Sequence, residues 1–272
     1  MLQVSQLYIY PIKSLGGISV PAVNITDRGF EYDRRWMLVD TNNRFLSQRE
    51  SAAMALLQVI ITIEGLTVFH KQDQENSIII PFEPATDERA VVQIWDASCE
   101  ATFVSSAADE WFSKALNMPC RLVYMNEEDH VRIDERYAIG QNLTSFSDGY
   151  PILMISEASL ADLNTKAGEK IPMNRFRPNL VISGATVFEE DRMKEFEING
   201  ITLYGVKPSA RCVVTTIDQR TAEKGKEPLK TLATYRSKNN KIYFGENVIA
   251  GSTGKIHVGD HIEIITKKES LF

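Results

Sequence analysis

The residues best placed to do chemistry in this chain are Arg211 and Cys212, within Lys207–Asp218, which reads K-P-S-A-R-C-V-V-T-T-I-D. Ser209, Ala210 and Arg211 are expected to form a short loop after Pro208. The β-branched run Val213–Ile217 then favours a strand. Cys212 would stand where loop becomes strand, beside a cation. A neighbouring positive charge favours thiolate over thiol, and the thiolate is the form that binds soft metals or attacks electrophiles. The same position suits a small core residue. The local sequence leaves both open.

Other chemistries find less support. No His adjoins Cys212, so a Cys–His nucleophile pair is not indicated. His257 and His261 have the spacing of a helical metal pair, but Val258-Gly259-Asp260 between them reads as a turn and no third ligand follows. Cys99, Cys120 and Cys212 are odd in number and form no C-x-x-C, against a disulfide framework, a structural zinc site or an internal iron–sulfur cluster. Cys99 and Cys120 are read as structural. Nucleotide-loop and nucleophile-elbow motifs are missing from the sequence. Glu189-Glu190-Asp191 is read as a solvated loop. What remains is one cysteine and a set of cations: Lys13, Arg34, Arg35, Arg175, Arg177 and Arg211. Arginine and lysine grip phosphate by charge-assisted hydrogen bonds. These are the parts needed to hold a polyanionic cofactor while a thiolate ligates its metal.

The elements that must position them are mostly strands. Leu7–Ile12, Ile18–Ile25, Trp36–Val39 paired with Phe45–Ser47, Val59–Ile63, Leu66–His70, Ile78–Pro81 and the hairpin Ala90–Trp95/Glu100–Val104 fill the first part. Ala107–Leu116 is the clearest helix, capped by Ser105 or Ser106. After the strand Cys120–Met125, Asn126–Ser147 is polar and aperiodic and is read as a long loop at a boundary. Pro151–Ile155 feeds a helix over Glu157–Asn164 capped by Ser156, a junction whose free N–H groups suit an anion. Phe196–Ile198 and Ile201–Val206 form a hairpin across Asn199-Gly200. Pro228 opens a short helix to about Arg236 before a β-rich end.

The chain has 272 residues, 43% apolar and 24% charged, an ordinary globular composition. Its net charge of −6 and lack of a basic tract disfavour nucleic-acid partners. No apolar run approaches the ~20 residues of a membrane span. No signal peptide is recognisable, so a cytoplasmic location is expected.

Tyr10-Pro11-Ile12-Lys13-Ser14, Asp33-Arg34, Ser156–Asn164, Asn174–Gly184, Arg211–Asp218 and Glu227–Arg236 resemble, in order, the MOSC-domain proteins. The resemblance is nearest to their amidoxime-reducing branch and its bacterial YcbX-type relatives. It implies a mostly β fold: a MOSC β-barrel with peripheral helices over residues 123–268 and a smaller N-terminal β-rich domain over 1–122. The first strands, about residues 1–35, are expected to join the barrel. It also implies a molybdenum cofactor (Mo-molybdopterin) with Cys212 as the protein ligand to the metal. Lys13, Ser14, Arg34, Asp148, Arg177, Asn179 and Arg211 match its cofactor-binding positions. The implied activity is reduction of N-hydroxylated compounds, N–OH to N–H. Electrons would come from a separate ferredoxin-, flavin- or haem-type protein. A non-redox carrier of the cofactor or of sulfur as persulfide is the alternative. The chain departs from the mitochondrial pattern at Gly149-Tyr150 and at Ala210, and neither a ferredoxin module nor a membrane anchor is expected.

Overall fold

The computed structural model describes residues 1–139 and 143–272. The fold is mostly strand with few helices. The main sheet runs Ile18–Val20, Gln3–Ile9, Leu180–Ser183, Ile152–Ser156, Lys241–Ala250, Ile201–Arg211, Met193–Ile198, Ile262–Lys267, with Ser237–Lys238 beside Lys241–Ala250. The last strand returns to the first: Val4 N donates to Asp260 O (2.9 Å), Gly259 N to Val4 O (2.8 Å) and Ile262 N to Leu2 O (3.0 Å). The sheet therefore closes on itself through its first strand, leaving Ile18–Val20 as a short edge. Inside lie Val4, Leu7, Ile152, Met154, Leu180, Phe196 and Val248, all fully or almost fully buried.

N-terminal strands are part of this barrel. Gln3 pairs with Ser183 and Leu7 with Leu180, and Ala22–Thr26 pairs with Gly254–His257. Between Trp36 and Tyr124 the chain leaves to build two smaller sheets, one of four strands and one of three, around a second core containing Trp36, Leu38, Met54, Leu66 and Phe112. The helix there spans Ser106–Leu116, with Ser105 Oγ accepting from Ala108 N and Asn117 closing it in a left-handed conformation. Among the described residues no helix is long and apolar enough to cross a membrane.

Several local expectations are corrected. Ile18–Ile25 is two strands separated at Pro21, and Phe45–Ser47 is reduced to one bridge, Val39 to Phe45. Within the expected loop after Asn126, Val131–Arg132 pairs with Leu143–Thr144. Residues 140–142 of that stretch lie outside the described residues. Residues 209–211 are strand, not loop, and Val213–Thr216 is a 3₁₀ turn, not strand. Register shifts at Gly205/Lys207 and Pro208/Ala210 absorb the proline that cannot donate to the ladder. Threonine hydroxyls close the turn instead: Thr215 Oγ1 donates to Cys212 O (2.9 Å) and Thr216 Oγ1 to Val213 O (2.8 Å).

The acidic run 189–191 is not a solvated loop. Glu190 and Asp191 are buried at 0% and 1% exposure. Glu190 Oε1 accepts from Ser156 N (3.0 Å), so the anion at that helix start is the chain's own carboxylate. Asp191 pairs with Arg236 at 2.6 Å, and the neighbouring Glu246 pairs with Lys268 at 2.5 Å. Burial pushes the Glu246 carboxyl up to about 8, outweighing the pull of Lys268. Across roughly pH 5 to 8 the folded chain then holds a proton that the unfolded chain has lost, so stability falls as pH rises. Urea unfolding in steps of pH should show this decline, and Glu246→Gln should flatten it.

Candidate functional site

The structure brings Lys13, Ser14, Arg34, Asp148, Arg177, Asn179, Arg211 and Cys212 to the wall of one cleft of ≈ 290 Å³. Lys13 and Ser14 follow the first barrel strand, and Lys13 N donates to Trp36 O (2.8 Å). Lys13 is 5% exposed, and its ammonium donates to Phe146 O (2.7 Å) and Asp148 Oδ1 (2.5 Å). Burial lowers its proton affinity, and Asp148 partly restores it. Asp148 is exposed to the cleft. Although desolvation works the other way, Lys13, Trp95 and Arg34 hold its carboxyl well below the usual carboxylate range.

A buried node sets the two central arginines. Asp33 Oδ1 accepts from Tyr10 N (2.8 Å) and Asn179 Nδ2 (3.0 Å), while Asp33 Oδ2 pairs with Arg34. Asn179 Oδ1 accepts from Arg34 Nη1 (2.8 Å) and Leu153 N (3.2 Å), and its Nδ2 also reaches Tyr8 O (3.2 Å). At 1% exposure, Asn179 has both ends of its amide committed and acts by fixing Arg34. The guanidinium carbons of Arg34 and Arg177 lie 4.5 and 4.3 Å from the Tyr10 ring centroid. Arg177 Nη1 donates to Leu15 O (2.7 Å), and burial draws its guanidinium down to about 10, so it stays charged at neutral pH. Ser14, Arg34 and Arg177 have φ of +69°, +51° and +56°. Such left-handed backbone costs of order 1–3 kcal/mol each and persists where surrounding bonds over-determine it.

Cys212 follows the barrel strand Ile201–Arg211 and is half-buried. Its carbonyl starts the following turn, and Arg175 Nε donates to Thr215 O (2.8 Å) to pin that turn. Arg211 donates to Ser209 Oγ (2.9 Å) and Phe176 O (2.6 Å), and its buried Nε has no hydrogen-bond partner among the described residues. Of the other cysteines, Cys120 is in the core and burial pushes the Cys99 thiol up to about 11. Among the described residues no group of three or more His, Cys, Asp or Glu could hold a metal. A metal in this cleft would have to bring its other ligands with it.

Residues 1–119 match the MOSC N-terminal beta barrel domain and residues 141–263 the MOSC domain. Human mitochondrial amidoxime-reducing component 1 is 31% identical over an alignment covering 96% of this chain and 82% of that one. The chain belongs to the MOSC family. A bovine MOSC relative, mitochondrial amidoxime reducing component 2, is 29% identical over 95% of this chain and 82% of its own length. Molybdenum cofactor sulfurase from rice is 29% identical over 90% of this chain, which spans 32% of that longer protein.

This MOSC cleft holds more than sequence reasoning collected. Arg49, Lys207 and Lys241 also line it, as do Trp95 and Tyr150. With Lys13, Arg34, Arg175, Arg177 and Arg211 that makes eight cationic side chains against one carboxylate, Asp148. In a chain of net charge −6 such a count is selective for an anion. Asp33 was visible only as the partner in Asp33-Arg34. Arg49 and Lys241 carry no local signal, because only the folded chain brings them to the cleft.

Proposed function

We propose that this MOSC chain is a cytoplasmic molybdenum-cofactor oxidoreductase that reduces N-hydroxylated compounds, with electrons from a separate ferredoxin-, flavin- or haem-type protein. The carrying observation is the cleft: a single thiol and eight cations facing one carboxylate. That donor set fits the group. One cysteine sulfur suits a soft metal whose remaining ligands come from an organic cofactor. The cations, with the unspent Nε of Arg211, suit its phosphate. When bound, the cofactor supplies the two-electron chemistry at its metal. The chain's own part is to bind and orient. Arg34, Arg177 and Arg211 would hold the phosphate, Cys212 would hold the metal, and the Lys13–Asp148 pair would fix the wall of the cleft. The amidoxime-reducing names of the relatives support the substrate class. We also propose the division into a barrel of residues 123–268 with about 1–35, and a smaller domain inserted between them.

Arg177→Gln should weaken pyrophosphate binding to the empty-cofactor protein by about ten- to a hundredfold, the worth of a buried charge-assisted contact. Calorimetry reads this directly. The activity is tested by supplying cofactor and an artificial reductant to the purified protein and following conversion of benzamidoxime to benzamidine. No turnover by protein that has retained molybdenum sinks the reductase proposal. The similarity to molybdenum cofactor sulfurase favours a second reading, in which Cys212 carries a persulfide or passes on cofactor. Cyanide-labile sulfur in molybdenum-free protein would support it.

A further inference from the structure

A second cavity of ≈ 480 Å³ abuts the cationic cleft, and the two share Phe45 and Trp95 as lining. Trp95 stands at the tip of the hairpin Arg89–Ile94/Ala97–Phe103 with φ +54°. A large aromatic in left-handed backbone is costly, and the structure holds it there from several sides. Its ring centroid is 4.5 Å from that of Phe45, the Arg49 guanidinium carbon lies 4.2 Å from it, and its Nε1 donates to Asp148 Oδ1 (3.0 Å). Trp95 nonetheless remains 37% exposed.

Across this aromatic wall the charge reverses. The second cavity has three carboxylates, Asp40, Glu50 and Asp96, against one guanidinium, Arg44. Asp40 and Glu50 also serve their own turns, accepting from Asn42 N (2.8 Å) and from Ser47 Oγ (2.5 Å). The Asp96 carboxylate makes no hydrogen bond or ion pair among the described residues and is exposed.

We infer that this acidic chamber receives the organic substrate, an N-hydroxylated amidine, against the face of Trp95, and draws off the amidine product. The inference rests on the reductase reading. An amidoxime, R–C(NH₂)=NOH, is neutral near neutral pH. Two electrons from the external donor protein and two protons cleave its N–O bond, giving water and R–C(NH₂)=NH. The amidine is a strong base and takes a further proton to become an amidinium cation. Substrate is indifferent to the sign of the field, whereas product is attracted by the carboxylates of the acidic chamber. The reaction itself therefore creates the charge that the acidic chamber attracts.

Benzamidine titrated into the purified protein without reductant, followed by calorimetry and tryptophan fluorescence, tests the chamber apart from turnover. Trp95→Ala should weaken binding by about tenfold and Trp95→Phe should restore most of it, as expected for stacking on an aromatic face. Asp96→Asn should weaken benzamidine by about threefold, in line with one exposed ion pair, and leave neutral benzamidoxime unchanged. In the loaded enzyme, Trp95→Ala should raise KM for benzamidoxime far more than for acetamidoxime, which has no ring. Benzamidine affinity indifferent to both Trp95→Ala and Asp96→Asn overturns the inference. Binding that responds to both variants in a protein that never turns over would refute the reductase reading and leave the chamber standing.

Discussion

Replacing Cys212 by Ser should lower N-hydroxy turnover by more than about a hundredfold, since loss of a mere outer partner of a metal ligand already costs about ten- to a hundredfold. The fold should survive the change. It is the Cys212 carbonyl that accepts from Thr215 N and Oγ1, and the sulfur makes no hydrogen bond among the described residues. Pyrophosphate affinity should likewise persist, because the cations that bind it are untouched. Molybdenum content, turnover and the thermal midpoint measured on one preparation separate these effects. A Cys212→Ser protein that keeps both its metal and its rate would remove the thiol from the proposed chemistry.

Arg236→Ala should be the most damaging single change to stability, about 3–5 kcal/mol, the cost of leaving a buried charge without its partner. Its side chain and that of Asp191 are 2% and 0% exposed and meet at 2.6 Å. Its guanidinium carbon also lies 4.1 Å from the Phe188 ring centroid and 4.2 Å from that of Phe272, so packing is lost with the charge. The double variant Asp191→Leu with Arg236→Met should recover much of the loss, because a pair of apolar side chains leaves no stranded ion. Urea midpoints of wild type, both single variants and the double variant form the cycle that measures this. Single variants as stable as the double would contradict the account.

The same pair shows where reading the chain residue by residue runs out. Glu189-Glu190-Asp191 has the look of a solvated turn, and its partner Arg236 lies 45 residues away, where no local pattern can announce it. The hairpin across Asn199-Gly200 was legible because the strands and their turn are adjacent in sequence. The helix over Ser106–Leu116 was legible because its cap and apolar stripe repeat within a few turns. Val213–Thr216 misled because β-branching favours strands while threonine hydroxyls favour local turns, and here the hydroxyls won. The candidate site was legible only through motifs matched as a set. Composition alone offered a cysteine and scattered cations, and the convergence of Lys13 with Arg177 depends on the barrel.

The pairing of Gln3 with Ser183, and of Leu2 and Val4 with Ile262 and Asp260, carries a consequence for biosynthesis. A ribosome releases the amino-terminal strand long before Leu180–Ser183 or Asp260 to Ile262 exists. Apart from its short pairing with Ile18–Val20, that strand must wait with one edge open while much of the polypeptide is translated, and an open edge invites self-association. Lys13 and Arg34 can meet Arg177 only after this delay ends. Capture of the proposed cofactor would thus wait for the barrel to form, and a nascent chain stalled before Arg177 would lack the cationic cleft to hold it.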